Sequence, residues 1–434
     1  MSAVVDFPVK PEARPYLEAF AESASEPDWL ARFRKQGLDR FARQGFPSRR
    51  SENWRYLDLQ PLEKQPLLPA TAGPFAAAPE LELTSAWVRL FIVDGTCRSA
   101  VFRDLPEGIW IGSMERAIRE RPDLVRSAAT SDNSAERPFA ALNAALFADG
   151  FVLDFGPGVV LDRPIEIAHL ASNPGASHTR SLINLGAGSR ATVIENYTGA
   201  GRAGRYWRND VASWRIGDGA SLTRIALIEE SADAVHLGEV TATLGTGAKL
   251  DAFALLLGGG TVRHEASVTL AGDHAQCRYD GAFVVSGREE ANIVTNIDHA
   301  AVGGTTSELI KGVAAGSGHG AFQGKIIVRE GAQRTDAKQT SRNLILGRRA
   351  SIDTKPELEI LADDVKCAHG ASVGDLDEAA LFYLRARGIP TDEAHRLLVE
   401  GFLREPVEGV ADAAIRDHLL GRLSARLARL EQWT

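Results

Sequence analysis

From about residue 150 the chain breaks into short runs in which apolar and polar side chains alternate, at 151–155, 191–197, 221–228, 249–257 and 325–329. A period of two predicts β-strands. In Thr223-Arg224-Ile225-Ala226-Leu227-Ile228 the alternation predicts one buried and one solvated face. Glycine-rich turns separate the runs. Gly186, Gly217, Gly245, Gly272 and Gly303 follow one another at intervals of 31, 28, 27 and 31 residues. Steps of about 30 residues without a repeated motif are what stacked coils of strands leave in a sequence. No amphipathic helix long enough for a βαβ crossover interrupts them, so a β-helix or a large β-sandwich is favoured over a Rossmann or barrel fold.

Helical spacing takes over on both sides. Residues 12–20 and 27–44 carry apolar positions at a period near 3.6, including Leu30, Phe33, Leu38 and Phe41. A proline- and alanine-rich passage at 66–79 reads as a linker, 87–93 as a strand, and 114–120 and 139–148 as helical patches. Near the C-terminus, Asp375-Leu376-Asp377-Glu378 reads as a capping box that opens a helix ending at Gly388, with Pro390 beyond it. Thr391 is placed as the cap of a second helix, with Asp392 and Glu393 in its first turn. A third, over 411–430, lines up Ile415, Leu419, Leu423, Leu427 and Leu430 on one stripe, suited either to the core or to a docked partner. The expected organisation is a mixed, largely helical region at 1–140, a β-helix core at 141–374 and a helical region at 375–434.

Composition narrows the class without deciding it. Apolar residues make up 44% and charged residues 24% of 434, as in an ordinary globular protein. A net charge of -8 argues against non-specific binding to nucleic acid or an acidic membrane. Three cysteines, at 97, 277 and 367, form no CxxC and no even disulfide framework, which fits a reducing compartment. With no signal-peptide pattern at 1–10 and no apolar run of membrane-spanning length, the expected location is the cytoplasm.

Candidate chemistry concentrates at Cys367 and His369. In an extended segment, side chains two positions apart share a face, so this thiol and imidazole point the same way, a geometry suited to metal or sulfur. Lys366 beside the thiol favours the thiolate, and Asp364 opposes it. The plainer alternative is a small apolar cysteine and a surface histidine at a turn. Elsewhere, Gly316 to Lys325 fails the Walker pattern: His319 stands where a glycine is needed and Ile326 follows the lysine, so no nucleotide is expected on this chain alone. Gly258-Gly259-Gly260 and Gly186-Ala187-Gly188 read as turns. His264, His274, His299 and Cys277 receive no role. A β-helix lyase or glycosidase would need paired carboxylates, for which Asp273, Asp280, Glu289, Glu290 and Asp298 are the candidates.

Two long motifs go further. Residues 357–371, ending in Asp363-Asp364-Val365-Lys366-Cys367-Ala368-His369-Gly370-Ala371, and residues 381–389 resemble the C-terminal signature of the SufB/SufD family, scaffold subunits of the Suf iron–sulfur cluster assembly system. Phe46-Pro47-Ser48-Arg49-Arg50-Ser51-Glu52-Asn53-Trp54-Arg55-Tyr56 resembles the family's N-terminal motif. Lys366-Cys367-Ala368-His369-Gly370 looks more like the D-type than the B-type version. The resemblance implies a mainly β fold, a right-handed parallel β-helix between helical regions. It implies pairing with a SufB-type paralogue, a SufC-type ATPase docked on the C-terminal helices, and a transient cluster at the interface with the partner. It also implies that His369 lies at that interface and helps hold the nascent cluster, with Cys367 matching a nearby family cysteine. Two ligands do not complete a cluster site, so the partner must supply more. A capped β-helix with an apolar edge is expected to self-associate when its partner is missing. A β-helix carbohydrate-active enzyme, a B-type scaffold and a purely architectural adaptor are the competing expectations.

Overall fold

The computed structural model describes residues 9–20, 26–70, 88–102, 105–130, 137–200 and 203–430. The linker read at 66–79 lies outside them from residue 71 onward, and the strand read from residue 87 is described from Val88. The helices are α1 (Arg14–Glu18), α2 (Asp28–Gln44), α3 (Gln60–Lys64), α4 (Met114–Glu120), α5 (Pro122–Thr130), α6 (Pro138–Leu146), α7 (Glu378–Ala386), α8 (Thr391–Glu408) and α9 (Ala413–Leu427). The strands begin with β1 (Val88–Val93), β2 (Thr96–Phe102), β3 (Ile109–Ser113), β4 (Phe151–Phe155), β5 (Ile165–Ala171) and β6 (Gly175–Leu185). They continue with β7 (Arg190–Gly199), β8 (Tyr206–Ile216), β9 (Ser221–Glu229), β10 (Val235–Leu244), β11 (Lys249–Gly258) and β12 (Thr261–Leu270). The last are β13 (Gln276–Val285), β14 (Glu290–His299), β15 (Thr305–Ala315), β16 (His319–Val328), β17 (Asp336–Leu346), β18 (Ser351–Ile360) and β19 (Lys366–Gly374).

From β4 onward, even-numbered strands stack in one sheet and odd-numbered strands in the other, all pairing in parallel. This is a parallel β-helix of about 8 turns with helices at both ends of the chain. The antiparallel pairs β1–β2 and β3–β4 close its first coil.

One corner of each coil explains the glycine spacing. Gly188, Gly219, Gly247, His274, Gly303 and Arg334 all have φ between 60° and 70°. Each donates its backbone N–H to the same corner of the next coil, reaching Asp218, Thr246, Asp273, Val302, Gln333 and Asp364 in turn. Glycine enters this left-handed conformation freely, whereas His274 and Arg334 do so at a cost of roughly 1–2 kcal/mol. Two residues before the corner the chain passes so close to the coil beneath that a Cβ at Gly272 would lie 2.0 Å from the Thr246 nitrogen.

Alternation sorts side chains differently from the sequence expectation. In β9, Leu222 joins the interior core and Arg224 is 2% exposed, while Ile225 and Leu227 face outward. Neither face is solvated, because the outer face of the odd-numbered sheet lies under α8 and α9. Val399, Leu403, Val407, Ile415, Leu419, Leu423 and Leu427 cover Ile225, Leu227, Phe253 and Leu255 there. The α9 stripe is therefore core. On the even-numbered sheet, Tyr16, Phe41, Phe46, Trp54 and Phe139 pack around Trp207. Two helix starts also differ in detail. Asp377, not Asp375, caps α7 by accepting from the Ala379 and Ala380 N–H groups, and Pro390 precedes α8, whose first residue is Thr391.

Candidate functional site

Cys367 and His369 lie on β19, the last strand of the odd-numbered sheet, which pairs only with β17. Cys367 packs against the interior core, so its face, shared with His369 two residues on, is the one that lines the inside of the solenoid. Here the coil has no successor to cover it. Cys367 is half-buried and His369 is exposed. Expectation and structure agree that thiol and imidazole share a face; they disagree on the thiol's charge. Lys366 occupies the opposite face, and burial pushes the Cys367 thiol above its ordinary range despite a hydrogen bond from the Ala337 backbone. Among the described residues no group of three or more His, Cys, Asp or Glu side chains converges to hold a metal. Cys367 and His369 offer one soft sulfur and one imidazole nitrogen, a donor set that suits iron and leaves its remaining positions open.

The other histidines do not gather. His264 is buried and bonds Arg224 at 3.1 Å, His299 is buried against Thr306 at 2.8 Å, and His274 serves an exposed corner. Burial pushes His299 down to about 4 and the Cys277 thiol well up, leaving both neutral inside the core. The five carboxylates are each engaged separately. Asp273 accepts from the Val302 N–H at 3.0 Å, Asp280 from Leu309 at 2.9 Å and Glu290 from Asp58 at 3.0 Å. Glu289 pairs with Arg426 of α9, and Asp298 with Arg329 at 2.9 Å. Gly324-Lys325 sits in the middle of strand β16, where a phosphate loop would need a strand-to-helix turn.

Comparison with known proteins accounts for the whole β-helix. Residues 168–402 match the model of the SUF system FeS cluster assembly SufBD core domain, and residues 83–167 that of the SufBD protein N-terminal region. The chain belongs to the SufBD family of iron–sulfur cluster assembly proteins. Within the family it is SufD-like. It is 30% identical over 404 residues to the iron–sulfur cluster assembly protein SufD of Escherichia coli, covering 91% of this chain and 92% of that one. It is 28% identical over 412 residues to SufD of Bacillus subtilis, at 91% and 94% coverage. A SufBD family protein of Synechocystis is 27% identical over 429 residues, at 94% and 95%.

Two features of this SufBD chain were not assigned a place from sequence. The first is a polar file inside the solenoid. Parallel register places Arg224, Ala252, Tyr279, Glu308, Gln339 and His369 on successive coils of one inward column. Arg224 pairs with Glu195 at 2.9 Å, and Gln339 donates to Glu308 at 2.7 Å. The signal was present as charged residues at the inward positions of otherwise apolar runs. The second is the N-terminal motif. Trp54 stacks under Arg263 of β12 at 4.2 Å, Arg49 pairs with Glu290 of β14 at 3.6 Å, Gln323 of β16 donates to the Asn53 carbonyl, and Glu52 pairs with Lys355 of β18. The motif thus runs along four successive rungs to the open coil.

Burial raises Glu308 from 4.5 to about 7, although Gln339 hydrogen-bonds it. The folded state then holds a proton that the unfolded chain releases, so stability falls as pH rises from about 4.5 through about 7. Glu308→Gln is expected to remove that slope and to stabilise the chain at pH 8 by on the order of 3 kcal/mol, with little gain at pH 4. Thermal unfolding of both proteins across this range checks it. Identical pH slopes would contradict the assignment.

Proposed function

We propose that this chain is a non-catalytic scaffold that holds a nascent iron–sulfur cluster, its cargo, at the interface with a SufB-type partner. One observation carries the reading: Cys367 and His369 face together from the inward side of the last, uncovered coil of a SufBD-family β-helix. A soft thiol and an imidazole bind iron, and the open coil leaves room for ligands from another subunit. His369, exposed, is the principal ligand. Cys367, half-buried with a raised thiol, joins when iron displaces its proton.

The edges support the choice of partners. β18 and β19 end their sheets, so one row of backbone N–H and C=O groups on each is free to pair with another chain. A SufB-type paralogue takes this edge, and in its absence a second copy of this chain does. A SufC-type ATPase docks on the C-terminal helices, where Phe382 is 73% and Tyr383 56% exposed on α7, and Leu397 is exposed on α8. The ATPase supplies the nucleotide site, and the working parts divide at 1–140, 141–374 and 375–434. Assembly takes place in the cytoplasm.

The test is anaerobic reconstitution of the chain co-purified with SufB-type and SufC-type partners, scored by bound iron and sulfide. His369→Ala is expected to leave folding and complex formation intact and to lower cluster content several-fold. Unchanged loading in an intact complex would remove His369 from the site.

A further inference from the structure

Behind His369 lies Gln339, its register partner on β17 and the preceding rung of the same inward column. Gln339 is 1% exposed. Its Nε2 donates to Glu308 Oε2 at 2.7 Å, while its Oε1 is buried and has no hydrogen-bond partner. The carboxamide is held from the opposite sheet as well, since a Cβ at Gly324 would come within 2.3 Å of Gln339 Nε2. With the nitrogen committed to Glu308 on one side and β16 closing the other, the amide has a fixed orientation and a spare acceptor. The next rung, about 4.8 Å away, carries an exposed imidazole that makes no hydrogen bond to a described residue.

A buried acceptor without a donor costs roughly 1–3 kcal/mol, and an imidazole bound to metal nearly always donates its other N–H to a fixed acceptor. We infer that Gln339 is a positioning residue for His369: once a partner covers the open coil and excludes water, the imidazole turns inward and donates to Gln339 Oε1. A carboxamide oxygen accepts only, so this bond selects the tautomer whose N–H faces the core and leaves the lone pair of the other ring nitrogen aimed at the interface. Glu308 acts one rung further back, by holding the Gln339 nitrogen. The inference rests on His369 being a cluster ligand.

The test uses the full chain, with isotope-labelled histidine, in complex with its SufB-type and SufC-type partners. Tautomer-sensitive ring vibrations of His369 are taken from the difference between wild type and His369→Ala, before iron is added. Ferrous iron binding and cluster content are then measured. Wild type is expected to show a single tautomer. Gln339→Met, which keeps the length and removes the acceptor, is expected to show a mixture, with iron affinity about 10–100-fold lower. Gly324→Ala, which displaces the amide without deleting it, is expected to act in the same direction. A tautomer mixture in the wild-type complex would overturn the inference with no variant needed. So would unchanged spectra and iron binding in a folded Gln339→Met complex. Loss of cluster in His369→Ala alone would then preserve the ligand assignment while sinking the role of Gln339; loading insensitive to His369→Ala would sink both.

Discussion

Arg224→Leu is expected to destabilise the chain by about 3–5 kcal/mol, because it strands a charge inside the solenoid. The Glu195 carboxylate is 2% exposed and is held by Arg224 at 2.9 Å, by His169 at 3.4 Å and by the Tyr197 hydroxyl at 2.7 Å. Burial alone would push its pKa up, but the Arg224 guanidinium, with His169 beside it, outweighs burial and holds it well below the usual carboxylate range. In wild type, therefore, Glu195 contributes stability above its unfolded pKa, and that contribution is lost as pH falls through the folded value. Without Arg224 the carboxylate must take up a proton to stay buried, which reverses the slope: the variant should lose stability as pH rises from 5 to 8. His264 loses the donor at its Nε2 in the same step. Arg224→Leu combined with Glu195→Gln is expected to recover much of the loss, since removing both charges leaves no uncompensated ion. Denaturant titrations of the single and double variants at pH 5 and 8 measure it. A double variant as unstable as Arg224→Leu would show that Arg224 acts by filling space.

That arginine also marks where the sequence stopped being legible. The coil repeat could be read because one corner of six successive coils holds a residue at positive φ, and glycines near that corner leave a spacing of about 30 in the chain. The facing of the strands could not be read the same way. An alternating run shows that two faces exist without saying which looks inward, and Arg224 takes the inside because the buried Glu195 of the neighbouring strand compensates it. Ile225 and Leu227 look outward because helices almost 200 residues later return to cover them. Such long-range cover leaves no local trace. At the site itself, the shared face of Cys367 and His369 followed from strand geometry alone. The column behind His369 required the register, and register is set by the stacking of whole coils. Lys366 misled for a local reason: adjacent residues on a strand face opposite ways, so its charge lies across the sheet from the thiol.

The C-terminal helices carry two kinds of apolar residue, and the largest remaining effect separates them. Leu423 of α9 is fully buried against the outer face of the odd-numbered sheet, while Phe382 of α7 is 73% exposed. Leu423→Ala is expected to cost about 2–5 kcal/mol, the transfer of the lost methyl groups plus the cavity they leave. Because α9 lies over Ile225, Leu227 and Phe253, its loosening uncovers a contiguous apolar strip, and aggregation on heating should accompany the lower Tm. Phe382→Ala removes a larger side chain and is nonetheless expected to change stability by no more than about 0.5 kcal/mol, since little surface is buried around it. Its effect should appear instead as weaker retention of the SufC-type subunit in the purified complex. Calorimetry of the two single variants, with subunit stoichiometry measured on the same preparations, reads both axes. Phe382 would lose its place at the docking surface if Phe382→Ala lowered Tm as far as Leu423→Ala while the ATPase stayed bound, for the exposed helix would then be a structural element of this chain.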